Sequence, residues 1–147
     1  MPTTYRLFHS DDLVCEMLAG VMEKHHPNLH AAGVRVGVLM AYNPDGEAVK
    51  HAGYPALATM KPCNARERAS KDYDCELVVD EIAWRELRDT QRAAVLDHEL
   101  SHVALVPLSV KELQAAQAYD AAAPWWKLDD TGRPKLKSVK GDWMAGD

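Results

Sequence analysis

Apolar positions along the first third of the chain repeat with two different periods. Leu13, Val14, Met17, Leu18, Val21 and Met22 follow the 3.6-residue period of an amphipathic helix. Ser10 is placed to cap that helix, and Asp11 and Asp12 put negative charge into its first turn, where the helix dipole favours it. Pro27 ends it near His25-His26, because proline disfavours helical backbone in the residue before it. Adjacent helical residues point about 100° apart, so His25 and His26 read as a solvated helix end rather than a liganding pair. From Val34 the period becomes two. Val34, Val36, Val38 and Met40 alternate with Arg35, Gly37, Leu39 and Ala41, as in a strand with one buried face. Asn43-Pro44-Asp45-Gly46 is a turn, after which residues 47–50 return as the hairpin partner. Residues 56–60 make a third strand and 76–79 a fourth, while the polar stretch 61–74 reads as an exposed loop.

After a linking turn through Trp84 and Leu87, Asp89 or Thr90 caps a second helix over residues 91–106, which Pro107 ends. Leu113, Ala116 and Tyr119 give residues 111–122 helical character. Residues 125–137, broken at Asp129-Asp130-Thr131-Gly132, read as a hairpin. The chain has 147 residues, 47% apolar and 27% charged, the balance of a globular protein. The expectation is one α+β domain over residues 1–147, with a short, mostly antiparallel sheet and both long helices packed on one face.

Charge and cysteine usage narrow the function classes. The net charge is −5 with basic residues scattered, whereas nucleic-acid binding needs a concentrated positive face. The small cluster Lys135, Lys137 and Lys140 reads as a solvated strand face. No apolar run approaches the roughly 18–20 residues that cross a bilayer, and the start Met1-Pro2-Thr3-Thr4-Tyr5-Arg6 lacks the pattern of a secretion signal. Cys15, Cys63 and Cys75 are an odd count without C-x-x-C spacing, which suits a reducing, cytoplasmic setting with free thiols.

The second helix carries His98-Glu99-Leu100-Ser101-His102. On a continuous helix, histidines at i and i+4 differ by about 40° around the axis and about 6 Å along it, so both imidazoles reach one metal ion. Neutral imidazole is a good zinc ligand. Glu99 lies too far round to be an equivalent ligand, but it can face a water on the metal, whose pKa the zinc lowers. It can take that water's proton and later pass a proton to the leaving amine. Each position of H-E-x-x-H thus has its own task. A catalytic zinc site has three protein ligands and one open position. No histidine follows His102, so the third ligand must come from elsewhere: the carboxylates of Glu112, Asp120, Asp129, Asp130, Asp142 and Asp147, or His51 upstream.

Several segments together resemble the putative phage metallopeptidase family. They are Lys50-His51-Ala52-Gly53-Tyr54-Pro55-Ala56, the strand end Val78-Val79-Asp80, Gln91-Arg92 leading into Asp97-His98-Glu99-Leu100-Ser101-His102, and Asp129-Asp130 with Gly132-Arg133-Pro134-Lys135-Leu136-Lys137. The likeness spans about residues 34–143. It implies a phage or prophage zinc peptidase, and it supplies no substrate. Near its end the family commonly has a His-Asp-Trp step, where this chain reads Gly141-Asp142-Trp143. If the family uses that aspartate on the metal, Asp142 keeps the role, and it is the favoured third ligand over His51, Asp129 and Asp130. The segment 108–126 is also longer than usual.

The resulting expectation is a minimal zincin-like domain that hydrolyses peptide bonds in a protein or peptide substrate. Zn²⁺ sits on His98, His102 and Asp142, with Glu99 as general base. A sheet edge borders the cleft, where an extended peptide can add as a strand. His51 and Tyr54 lie beside that edge as substrate contacts, although His51 reads equally well as a turn histidine bonded to backbone. Trp125-Trp126 reads as hairpin packing, and Asp97 as a surface residue more than a partner of a ligand. The rival reading is a non-catalytic zinc domain whose metal is structural and whose surface binds a partner. A weaker third is a metal-dependent hydrolase of non-peptide amides.

Overall fold

One apolar stripe on a helix and one apolar face of a sheet close on each other to give the core. The computed structural model describes residues 3–8, 12–51 and 54–140, with backbone alone at Phe8, His51, Tyr54 and Pro55. Along the chain these form β1 (Thr4–Phe8), α1 (Leu13–His25), α2 (Pro27–Ala31), β2 (Val36–Tyr42), β3 (Lys50–His51), β4 (Tyr54–Pro55), β5 (Ala58–Pro62) and α3 (Ala65–Ser70). They continue with β6 (Cys75–Asp80), α4 (Glu81–Arg85), α5 (Asp89–Leu100), β7 (Val103–Leu105), α6 (Val110–Tyr119) and β8 (Leu136–Ser138). The fold is α+β, with six helices among the described residues.

α1 forms where the 3.6-residue period places it. Val14, Leu18, Val21 and Met22 are buried. Leu13, next to Val14 and so about 100° round the axis, is 81% exposed. Asp12 takes the cap position, while Ser10 and Asp11 lie outside the described residues. Val38 and Met40 of β2 and Leu77 and Val79 of β6 join Val14 and Leu18 of α1 and Leu96 and Leu100 of α5 in one apolar cluster.

The main sheet has the order β1-β2-β6-β5. β1 runs antiparallel to β2, β2 parallel to β6, and β5 antiparallel to β6, so the sheet is mixed. This corrects the expected hairpin of residues 47–50 on β2, both of whose edges are already taken by β1 and β6. The turn itself forms, with Gly46 at φ 81°, and Asn43 holds the following loop by donating to the carbonyls of Glu47 and Ala48 at 3.1 Å each. Lys50 and His51 then pair with Pro55 and Tyr54 as a separate small ribbon.

Two helices lie where sequence reading gave a loop and a linking turn. α3 begins at a reciprocal cap: Asn64 Oδ1 accepts from the Glu67 N–H at 2.9 Å, and Glu67 Oε1 accepts from the Asn64 N–H at 3.1 Å. α4 begins on Asp80, whose carboxylate accepts from the N–H groups of Ile82 and Ala83.

The second long helix is shorter than expected. α5 ends at Leu100, and residues 103–105, expected to be helical, form β7 and pair antiparallel with β8. Its cap position falls on Arg88, whose N–H donates to Gln91 Oε1 at 2.9 Å. The expected hairpin over residues 125–137 is present in outline. Pro107 bridges Trp126 and Leu128 bridges Pro134, and the turn between them carries Gly132 at φ 86°. Among the described residues no helix is long and apolar enough to cross a membrane.

Candidate metal centre

Leu96 and Leu100, four apart on α5, are both fully buried and set the helix's orientation against the sheet. That orientation turns His98 away from the core, because it stands about 200° round from Leu96. The helix closes in a tightened turn: the Ser101 N–H donates to the Asp97 and His98 carbonyls, and the His102 N–H donates to the Glu99 carbonyl at 3.0 Å. The Ser101 hydroxyl donates to the His98 carbonyl. His98 and Glu99 therefore belong to the last turn of α5, and His102 lies just past its end.

The turn keeps the two imidazoles together. Their Nε2 atoms are 3.2 Å apart, with ring centroids at 4.8 Å and planes at 90°. Two nitrogens at 2.0–2.1 Å from one tetrahedral ion would lie about 3.3 Å from each other, so the pair fits a shared zinc. His102 Nδ1 is 3.0 Å from the Val139 carbonyl. A carbonyl only accepts, so the Nδ1 of that ring carries a proton, and on the neutral imidazole the lone pair is left on Nε2. That is the tautomer a ligand through Nε2 requires. Glu99 is 3% exposed, and ligand atoms of His98, Glu99 and His102 all lie within 4.8 Å of one another.

The other candidates fall into three groups. Asp142 and Asp147 lie outside the described residues. His51 and Tyr54 face each other as backbone partners in the β3–β4 ribbon. None of the carboxylates of Glu112, Asp120, Asp129 and Asp130 joins the His98–Glu99–His102 group. Asp129 is engaged elsewhere. It accepts from Arg68 Nη1 at 2.8 Å, from the Thr131 hydroxyl at 2.6 Å and from the N–H groups of Thr131 and Arg133 at 2.9 Å. Partial burial works against its charge, but these donors outweigh it and hold its carboxyl well below the usual carboxylate range.

His26 departs from expectation, while Asp97 is half-exposed, as expected of a surface residue. His26 Nε2 lies 2.7 Å from Asp97 Oδ1 and 3.2 Å from the Asp97 carbonyl. His26 is thus not a solvated helix end. It ties the end of α1 to the residue before His98. Burial pushes the thiols of Cys63 and Cys75 up from their ordinary value, which disfavours the thiolate a metal would need. Trp125 and Trp126 stack edge to face at 5.5 Å, and Trp126 packs against the core. Beside the end of α5 is a cavity of about 330 Å³, lined in part by His26, Leu29, Leu100, Ser101, Val103 and Trp125.

Sequence reading missed the Val139 carbonyl and the buried Asp74 with its arginines. A backbone acceptor has no side-chain signature, and Asp74 sits in a stretch read as exposed loop. Arg133 was noted only for family likeness.

Neither a curated protein nor a solved structure matches the chain significantly. The family model described as putative phage metallopeptidase matches residues 6–145, a span that holds every element from β2 to β8 and the whole histidine–glutamate group. Over nearly its full length, then, the chain belongs to the putative phage metallopeptidase family.

Proposed function

We propose that the protein is a zinc-dependent peptidase, a single zincin-like domain in which His98, His102 and Asp142 hold the ion and Glu99 is the general base. The observation that carries this reading is the 3.2 Å approach of two Nε2 atoms beside a buried carboxylate, within a family named for peptidase activity. Asp142 is supported by chain connectivity. Val139 bonds His102 through both its backbone groups, and Asp142 follows it by three residues, a length of chain that spans at most about 11 Å. A carboxylate beside two neutral imidazoles also leaves the site at net +1 rather than +2.

A bound zinc would supply Lewis-acid charge that acidifies the attacking water and polarises the scissile carbonyl. The chain's own part is to place the reactants and move the proton. Glu99, in the last turn of α5, takes the proton from the water and delivers it to the leaving amide nitrogen. Its near-complete burial keeps the carboxylate out of bulk solvent, so its charge is less screened there than it would be in water. The substrate is a protein or peptide. β5 is an edge strand with no partner on its outer side among the described residues, and it contacts α5, so an extended peptide can add there by main-chain hydrogen bonds. His51 and Tyr54, a few residues ahead of β5, contact that peptide.

The test is metal content and chelator competition. Wild type should hold about one zinc per chain by mass spectrometry, and His98→Ala or His102→Ala should abolish it. Asp142→Ala should lower zinc affinity tens-fold while Asp129→Ala leaves it unchanged. Full zinc occupancy in the double histidine variant would refute the site, and wild-type affinity in Asp142→Ala would refute the third ligand.

A further inference from the structure

Asp74 lies just ahead of β6 and is fully buried, 0% exposed. Its carboxylate meets arginines from three separate parts of the chain. Arg133 donates from Nη2 to Oδ2 at 2.6 Å and from Nε to Oδ1 at 3.2 Å, a two-point grip. The Arg35 N–H donates to Oδ2 at 2.8 Å, and the guanidinium groups of Arg35 and Arg68 lie 3.6 and 3.7 Å away. Arg133 also donates to the Gly33 carbonyl at 2.6 Å. A buried ion pair of this kind is a weak source of net stability, because desolvation offsets most of the attraction. It does fix geometry.

What it fixes is the start of the last strand. Arg133 follows the Gly132 turn, Pro134 after it is fully buried, and β8 begins two residues later. β8 pairs with β7 at three positions, Leu136 with Leu105, Lys137 with Ala104 and Ser138 with Val103, and just ahead of it Lys135 accepts from the Val106 N–H at 3.2 Å and donates to the Lys127 carbonyl at 2.9 Å. A two-stranded ribbon that short is marginal alone, so its register depends on what holds its ends. At the far end Val139 meets His102, its N–H donating to the His102 carbonyl at 2.7 Å and its own carbonyl accepting from Nδ1 at 3.0 Å.

We propose that Asp74 and Arg133 are positioning residues for His102: their clamp holds β8 in register, so that the Val139 carbonyl keeps the ring proton on Nδ1 and leaves Nε2 turned to His98. The metal consequence rests on the zinc reading above, but the tautomer consequence does not. With the clamp released, β8 no longer presents one carbonyl at one place. The His102 ring then populates both tautomers, and half-formed sites bind metal more weakly.

The experiment uses the full chain, as wild type, Arg133→Gln and Arg133→Lys. Arg133→Lys keeps the positive charge beside Asp74 but loses the two-point grip, and so covers the case in which Arg133→Gln does not fold. Circular dichroism selects a temperature at which each variant is folded. Long-range ¹H–¹⁵N spectra of the metal-free protein then report the His102 tautomer, and chelator competition reports zinc affinity. Wild type should show a single Nδ1–H tautomer. Each folded variant should show averaged ring nitrogens and a zinc affinity lowered tenfold or more. If the folded variants keep the wild-type ring signals, the clamp is merely structural and the proposal is wrong. A tautomer change in the variants of a wild type that binds no zinc would uphold the clamp and sink the metal reading.

Discussion

Replacing Glu99 by glutamine exchanges one carboxylate oxygen for an amide nitrogen on a side chain that is 3% exposed. Shape and volume are nearly kept, so the substitution avoids the cavity cost of a core truncation, about 2–5 kcal/mol for Leu→Ala. His98 and His102 are untouched, and zinc content should remain at the wild-type level. What disappears is a group able to take a proton from water. A positioned general base contributes roughly 10²–10⁴ in rate, or about 3–5 kcal/mol of barrier at 1.36 kcal/mol per decade. Peptidase kcat/KM should therefore fall by about that factor, with the melting temperature within a few degrees of wild type. The assay begins with a host proteome, in which new peptide termini appear after incubation with wild type. A fluorogenic peptide built on the mapped cleavage site then gives kcat/KM at matched zinc loading. Equal kcat/KM would remove Glu99 from the chemistry, and loss of zinc in Glu99→Gln would make it a ligand instead of a base.

Gly37→Ala should destabilise the fold by about 1–3 kcal/mol, the usual cost of overpacking, because a Cβ there would stand 2.5 Å from the Tyr73 ring; urea midpoints measure it, and adding Tyr73→Ala should shrink the penalty of the glycine change. Acid should weaken the metal-free protein through Asp74. Burial opposes its charge, but the Arg133 side chain, the Arg35 N–H and the nearby guanidinium groups prevail and set its folded pKa below the ordinary value of 3.8. A depressed folded pKa gives stability that is present above 3.8 and lost as pH falls through the folded value. Urea midpoints should drop below about pH 4, and Asp74→Asn should lack that part of the slope; parallel curves for the two proteins would contradict it.

The elements that were legible in the sequence are those whose burial follows a local period. α1 and β2 show theirs plainly, because Val14, Leu18, Val21 and Met22 on one and Val38 and Met40 on the other face the same core. β1 was not legible for the opposite reason: Tyr5 and Leu7 are 58% and 49% exposed, so its apolar residues mark no interior. Strand order lies further from local information. Nothing in residues 36–50 says that β2 will be central, with β6 beside it in parallel across more than thirty residues of chain. α3 and α4 could have been found from their starts, since Asn64 with Glu67 is a capping box and Asp80 ahead of Glu81 is a cap.

The overextended helix teaches the most about the site. Val103, Leu105 and Val106 continue an apolar run after Leu100, and short apolar runs do not distinguish helix from strand by period alone. Tertiary pairing decides: the His102 carbonyl, which a continuing helix would give to a residue further along, instead accepts from the Val139 N–H at 2.7 Å. His102 is therefore the hinge between two kinds of structure. Its spacing from His98 comes from the tightened last turn of α5, which is local; H-E-x-x-H marked the pair, but the turn itself was not legible, since a continuous helix was expected through both histidines. Its tautomer comes from a carbonyl 37 residues away, on a strand whose other end Arg133 pins to a buried aspartate. A liganding pair alone needs only the first of these. A pair in which the His102 lone pair is already turned toward His98 needs both, so this motif is prepared for a metal by the C-terminal strand as much as by the helix that carries it.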